Sequence, residues 1–357
     1  MKKKLLSALL CVAMVASVAV GCGSSDKPAA TPEADKEVAD TADDTADDTT
    51  EPKEYNVGVA IYSYDDNFMT LYRNEIQAYF ETLNTDEVKY NVTMVDCKND
   101  MSNQSNQIDT FITQEMDVII LNLVQTSSAD AIIDKVTDAG IPLVLINREP
   151  LAYDEEGNPL DESYERIVNN PYVCYVGCDA RQSGTYQGEI IANLDDNGDI
   201  NGDGVVTYIM LVGDPENPDA QYRTEYSIKA LTDAGIKSEC LVEQIGMWDT
   251  AKGQEITSSA LAQYGDQIEV VFSNNDGMAL GAAAAIEAAD RKVGEDIYLV
   301  GVDALEECQE MIAKGEMTGT VLNDHIGQSH KAVDVAIECL EGKTIENYYW
   351  VDYVKVN

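Results

Sequence analysis

Four short apolar runs, VGVAIY (57–62), YNVTMVD (90–96), DVIILNLV (117–124) and IPLVLIN (141–147), alternate with amphipathic stretches at 68–83, 102–116 and 128–139. Each run has the length of a strand and each stretch the length of a helix, so this part of the chain reads as β-α repetition. Runs as uniformly apolar as 118–124 suit parallel strands covered on both faces. A second series follows, with strands expected at 173–177, 205–213, 240–245, 268–274, 297–303 and 318–323 and helices at 181–194, 220–234, 253–264, 278–289 and 305–314. About 300 residues of such a pattern give room for two cores. The economical fold is α/β, with two doubly wound parallel sheets in series. The helix expected at 327–340 and the strands near 348–356 read as returning to the first domain, so the chain crosses between domains more than once.

Open α/β sheets bind ligands in the crevice outside the carboxyl ends of their strands. The residues at those ends are Asp65, Asp66, Asn67 and Phe68; Asn147 and Arg148; Asn217, Asp219 and Arg223; Trp248 and Asp249; Asn274, Asn275 and Asp276; Asp303; Asn323 and Asp324. A neutral polyol suits this set. Each hydroxyl both donates and accepts, so carboxylates and amides satisfy it, while Phe68 and Trp248 cover apolar C–H faces. Asp and Asn at strand ends also cap helices and form turns, which explains any one position but not the whole set. Adjacent Asp65 and Asp66 face opposite ways, so only Asp66 is expected to reach the crevice and Asp65 to be a cap or surface residue. The sequence has no GxSxG, HExxH or glycine-rich phosphate loop. His325 after Asn323 and Asp324 is the one histidine at a strand end with an acid neighbour, and His325 and His330 are expected on one helix surface.

The N-terminus is expected to direct export and anchoring. Lys2, Lys3 and Lys4 precede an apolar stretch and Gly21-Cys22, the layout of a lipoprotein signal over 1–21 with Cys22 lipidated and a membrane anchor. A cleaved secretory signal is the alternative, since Ala19 stands where Leu is favoured. Residues 26–54 carry eleven acids and three lysines and almost no large apolar residue, so 22–54 is expected to be a disordered acidic tether. The formal net charge of −42 excludes a phosphate-binding, nucleic-acid role. Cys97, Cys174, Cys178, Cys240, Cys308 and Cys339 are scattered without a disulfide pattern and are all expected to be free and buried.

The segment Asp199-x-Asn201-x-Asp203-Gly204 has the alternation of oxygen side chains and the glycine bend of a calcium loop. Met210 stands where a helix-loop-helix calcium hand has its bidentate Glu, so that carboxylate has to come from elsewhere.

Taken together, YDDNF (64–68), NREP (147–150), NPDAQYRT (217–224), MWDTA (247–251), NNDGMALG (274–281), GVDAL (301–305) and TVLND (320–324) resemble the galactose/glucose-binding proteins of bacterial ABC sugar importers, over residues 55–356. The resemblance implies the two-lobed type I periplasmic-binding-protein fold, with lobes 55–177 plus 325–351 and 178–324 plus 352–357. Crossings near 177–179, 323–325 and 351–353 would form a hinge. It implies that Asp66, Asn147, Asn217, Asp219, Arg223, Asn275, Asp303 and Asn323 hydrogen-bond glucose or galactose and that Phe68 and Trp248 sandwich the ring. Asn217 replaces the family's usual His. Calcium would be held by Asp199, Asn201, Asp203, the Val205 carbonyl, Thr207 and Glu269, with Thr207 in place of a longer Gln. The partners implied are an ABC permease and its ATPase, and the expected state is a monomer on the outer face of the cytoplasmic membrane. A glycosidase-like enzyme, a sugar sensor without transport and a sugar-responsive repressor are the rival classes; a repressor would carry a basic DNA-binding head. An insertion-like loop spans 154–170.

Overall fold

The computed structural model describes residues 51–151 and 164–357. The first half contains β1 (Lys53–Ile61), α1 (Asn67–Leu83), β2 (Val88–Asp96), α2 (Met101–Thr113), β3 (Val118–Leu121), α3 (Ala129–Asp138), β4 (Leu143–Ile146), the one-turn α4 (Glu165–Val168) and β5 (Val173–Gly177). The second runs α5 (Ala180–Ala192), β6 (Val206–Val212), α6 (Pro218–Asp233), β7 (Ser238–Ile245), α7 (Thr250–Tyr264), β8 (Val270–Ser273), α8 (Asp276–Ala288), β9 (Tyr298–Val300), α9 (Glu306–Lys314) and β10 (Thr320–Leu322). Last come α10 (His325–Leu340), β11 (Tyr348–Trp350) and β12 (Val354–Val356).

Two sheets result. The first has the order β11-β5-β4-β3-β1-β2 and every neighbouring pair is parallel. The second, β7-β6-β8-β9, is also parallel, and bridges at Val300–Gly319 and Asp303–Leu322 lead on to an antiparallel β10–β12 pair. The period-two alternation of β6 and β8 builds a core on each face of this second sheet. Ile209, Leu211 and Val271 pack with residues of α7 and α8, while Tyr208, Met210, Val270 and Phe272 pack with residues of α5 and α6. In the first sheet every residue of β3, β4 and β5 is buried, as strands covered on both faces require.

The chain passes between the sheets after β5, after β10 and after β11. These passages touch: Val351 N donates to Gly177 O (2.9 Å), and Cys178 Sγ lies 3.5 Å from Asn323 Oδ1. Only β11 joins the first sheet. The periodicity reading that both terminal strands return there is corrected by β12, which pairs with β10 after the passage at 351–353, on the side where the resemblance put 352–357.

Other corrections concern edges. β1 begins at Lys53, inside the segment read as tether, because pairing of Lys53 with Val88 uses backbone groups and needs no apolar side chain. Cys97, Cys174, Cys178 and Cys308 are buried, but Cys339 is half-buried and Cys240 is exposed on β7, an edge strand with one open side. Residues 1–50, where the lipoprotein signal, a lipidated Cys22 and most of the tether are expected, lie outside the described residues, as do 152–163 of the insertion-like loop. Its remainder forms α4, whose Ile167 is buried in the first core. Both histidines lie on α10, His330 stacked on Tyr79 and His325 edge-on to Phe68. Among the described residues no helix is long and apolar enough to cross a membrane.

Candidate functional site

The strand ends of both sheets meet at one cavity of about 320 Å³, lined by Asp66, Phe68, Asn147, Asn217, Asp219, Arg223, Trp248, Asn275, Asp303 and Asn323. Every candidate ligand residue therefore faces the same space. Tyr62, Met69 and Arg148 complete the lining. Arg148 stands in the strand-end set read from the sequence but was not assigned a ligand contact; Tyr62, which ends the first apolar run, could have been found by the same signal. Asp65, next to Asp66, is exposed, as expected.

Capping and lining turn out to be one device. Asp66 Oδ1 accepts from Met69 N (2.7 Å) at the start of α1, and its Oδ2 accepts from the Tyr62 hydroxyl (2.7 Å). Asn217 caps α6 through Asp219 N (3.0 Å), and Asn275 caps α8 through Met278 N (3.0 Å). A side chain that satisfies orphan N–H groups at a helix start is locked in one rotamer at the end of a strand, which is where the crevice opens. Asn147 is set by its neighbours instead: Asn122 Nδ2 donates to its Oδ1 (3.1 Å) and the Tyr175 hydroxyl to its carbonyl (2.9 Å).

The centre of the site is an ion pair on one face of α6. Arg223 Nη2 donates to Asp219 Oδ2 (2.8 Å) and to the Tyr353 hydroxyl (3.0 Å), and its Nη1 donates to Asn274 O (2.8 Å). Arg223 and Asp219 are nearly fully buried. Burial opposes the Arg223 charge, but Tyr353, Asp219 and Asp303 outweigh it, so its pKa lies above the usual value and it remains a cation. Burial pushes the Asp219 carboxyl up, and Arg223 and Arg148 pull it back. Asp303 is pushed well above the ordinary carboxylate range by burial, against Arg223 and with Asp276 and Asp66 reinforcing the shift. It accepts from Asn323 Nδ2 (3.3 Å), whose Oδ1 in turn accepts from Gln328 (2.7 Å).

Three lining residues hold strained backbones: φ is 62° at Asn147, 65° at Trp248 and 126° at Asp303. A non-glycine residue in this region costs about 1–3 kcal/mol, and such strain concentrates at functional sites. The Trp248 indole leans on Gly213, where an added Cβ would come within 2.1 Å of the ring. Only glycine leaves the indole its place.

Asp276, behind the cavity, is fully buried, and accepts from Thr320 Oγ1 (2.7 Å) and Leu305 N (2.9 Å). Burial raises its pKa to about 6 from 3.8, with those donors opposing the rise. A raised carboxyl pKa favours the protonated folded state, so the stabilisation is complete below pH 3.8 and is lost as pH rises through 6. By this account the unfolding free energy of the parent falls relative to that of Asp276→Asn between pH 4 and 7, by on the order of 3 kcal/mol, and the two melting temperatures converge or cross in favour of the variant. Parallel pH profiles would contradict the assignment.

The loop before β6 places oxygen atoms at regular intervals. Asp199 accepts from the backbone N–H groups of Gly202, Asp203 and Gly204, and Asp203 Oδ1 from Val205 N. Glu269, 1% exposed, accepts from Asn201 N (2.9 Å), Thr207 N (2.8 Å) and the Thr207 hydroxyl (3.0 Å). Among the described residues no three His, Cys, Asp or Glu side chains converge as a preassembled metal cluster. The carboxylate, amide, carbonyl and hydroxyl oxygens brought to this loop and Glu269 fit a hard cation such as calcium in kind.

Two parallel sheets joined by three passages, with polar and aromatic side chains from both closing on one cavity, define a two-lobed solute-binding protein. The sequence profile of the periplasmic binding protein domain matches residues 57–344, and the chain belongs to that family. A D-galactose/methyl-galactoside binding periplasmic protein of Haemophilus influenzae is 37% identical over 292 residues, 81% of this chain and 82% of the relative. A D-ribose/D-allose-binding protein of Pseudomonas aeruginosa is 27% identical over 248 residues, 70% of each chain. The crystal structure of an ABC transporter solute binding protein from Bacillus halodurans with bound myo-inositol matches with a TM-score of 0.71 at 28% identity, covering 86% of this chain and 96% of that one. The family consists of exported solute-binding proteins of ABC importers and not of enzymes, which removes the glycosidase alternative.

Proposed function

We propose that this protein captures glucose or galactose between its two lobes and delivers it to an ABC permease and its ATPase. The observation that carries the proposal is the cavity lined together by Asp66, Asn147, Asp219, Arg223, Asn275, Asp303 and Asn323 and by the aromatic side chains of Phe68 and Trp248. Arg223 is paired with Asp219 there and Arg148 with Asp214, and burial holds Asp303 toward its neutral form, so charge is close to balanced without a charged ligand. Hydroxyls that both donate and accept suit this mixture, and the relative with the higher identity is by its description a galactose binder. Asn217 keeps a polar contact at the family's histidine position with a shorter reach. Asp66 can accept from the C4 hydroxyl of either epimer, which admits both hexoses.

The lobes are assigned as 55–177 plus 325–351 and 178–324 plus 352–357, with the three passages as hinge. A sugar contacted from both lobes favours the closed state by its differential contacts. A monomer held at the membrane surface by lipidated Cys22 and the acidic tether completes the assignment. A thermal-shift screen tests the ligand: glucose and galactose raise the melting temperature, ribose does so little, and a protein indifferent to both hexoses overturns the proposal.

Asp199, Asn201, Asp203, the Val205 carbonyl, Thr207 and Glu269 are assigned to a structural calcium ion. When bound, it would neutralise the loop carboxylates and tie the start of β6 to Glu269. Chelation is expected to lower the melting temperature by roughly 5–10 °C. Asp199→Ala should melt low with or without chelator; a parent unaffected by chelation would remove calcium from the account.

A further inference from the structure

Arg148 and Asp214 come from different sheets. Arg148 follows β4 in the first, Asp214 follows β6 in the second, and both are almost completely buried. Arg148 Nη1 lies 3.2 Å from Asp214 Oδ2, across the line where the halves meet. The other contacts of Arg148 belong to its own half: Nη1 also donates to the Val124 carbonyl, and the guanidinium lies 3.8 Å from the centre of the Tyr62 ring. Two lesser contacts follow the same seam, Thr126 Oγ1 donating to Glu216 O (3.2 Å) and Leu151 packing with Tyr222.

We infer that Arg148 and Asp214 form a latch across the cavity that sets how long a bound ligand stays. Arg148 is held ready by Val124 and Tyr62 on its own side, so opening the halves costs it only the carboxylate. Asp214 is the moving partner. In the closed state the pair is out of water, where a charge that loses its counter-ion is strongly penalised. In the open state both groups can be hydrated, so the ion pair contributes chiefly to the closed state and hence to the rate of release. The latch is also wired to the ligand. The Tyr62 ring under Arg148 ends in the hydroxyl that donates to Asp66 Oδ2, and Asp66 lines the cavity. A ligand that fixes Asp66 thereby fixes Tyr62 and the platform on which Arg148 rests. Asp214, which is outside the cavity lining, is a positioning residue in this scheme, acting through closure, while Arg148 also lines the cavity, so the test rests on Asp214.

The inference rests on the two-lobe binding function proposed above, and its test separates the two. In a Trp350→Phe background, stopped-flow fluorescence of Trp248 follows association and release of galactose. Asp214→Asn is expected to raise koff at least ~10-fold while kon stays within ~3-fold, since truncating one partner of a buried pair acts on release. The double variant Arg148→Met/Asp214→Asn, which removes both charges, should release more slowly than Arg148→Met or Asp214→Asn alone. That reversal distinguishes an ion pair from a general loss of packing. Equal koff in parent and Asp214→Asn, or single effects that add in the double variant, would overturn the latch. If the parent binds neither hexose, the ligand assignment fails and acrylamide quenching of Trp248 in ligand-free protein decides on the latch. Asp214→Asn then raises quenching if the latch exists and leaves it unchanged if it does not.

Discussion

Asp219→Ala is expected to weaken glucose and galactose binding by about 100- to 1,000-fold, because it leaves the Arg223 guanidinium buried without its carboxylate. Arg223 is 3% exposed, and of its three hydrogen bonds only the one to Asp219 neutralises its charge. The loss is compounded because Asp219 also lines the cavity, so one substitution removes a ligand acceptor and mis-sets its donor neighbour. The fold should survive. Asp219 sits in the first turn of α6, and its backbone N–H remains capped by Asn217. Circular dichroism should match the parent while isothermal calorimetry shows no saturable heat at millimolar sugar. Parent-like affinity in this variant would mean that the ion pair serves the lobe and not the ligand.

Trp248→Ala has the second-largest expected effect, about 10- to 100-fold in affinity, from the loss of one ring face worth roughly 1.5–3 kcal/mol. Trp248 reaches the cavity through a positive φ of 65° after Met247 at 54°, with its indole against Gly213 and its carbonyl accepting from Asn275 (3.3 Å). Gly213→Ala provides an independent route to the same outcome, since its methyl group cannot share the space with the ring. Both variants should lose affinity for hexoses while retaining the parent's melting profile without sugar. Should Trp248→Ala bind as tightly as the parent, the aromatic sandwich is wrong.

Much of this architecture was legible because two periodicities coincide in it. The apolar runs gave the strands of both sheets, and the polar residue after each run lay where a parallel sheet opens, so the gathering of Asp66, Asn147, Asn217, Asn275 and Asp303 around one cavity could be anticipated. The question whether these residues cap helices or face ligand proved to be falsely posed, since Asp66, Asn217 and Asn275 do the first while lining the cavity. What stayed hidden depends on pairings that no local pattern encodes. Arg148 and Asp214 stand 66 residues apart in separate sheets, and Tyr353 reaches Arg223 from a passage 130 residues away. The side taken by β12 was legible only through the resemblance, which put 352–357 with the second sheet, since its own three residues do not encode it. Cys240 shows the converse: a residue type that is usually buried is exposed when the strand carrying it is an edge.

The central claim is that a neutral hexose is held in the cavity by both lobes at once, and a crystal structure of the protein grown with galactose tests it most directly. The account predicts a pyranose ring between Phe68 and Trp248, hydroxyls within hydrogen-bonding distance of Asp66 and Asn147 on one side and of Asp219, Arg223 and Asp303 on the other, and Arg148 paired with Asp214. Galactose bound to one lobe alone, or an empty cavity at saturating sugar, would contradict it.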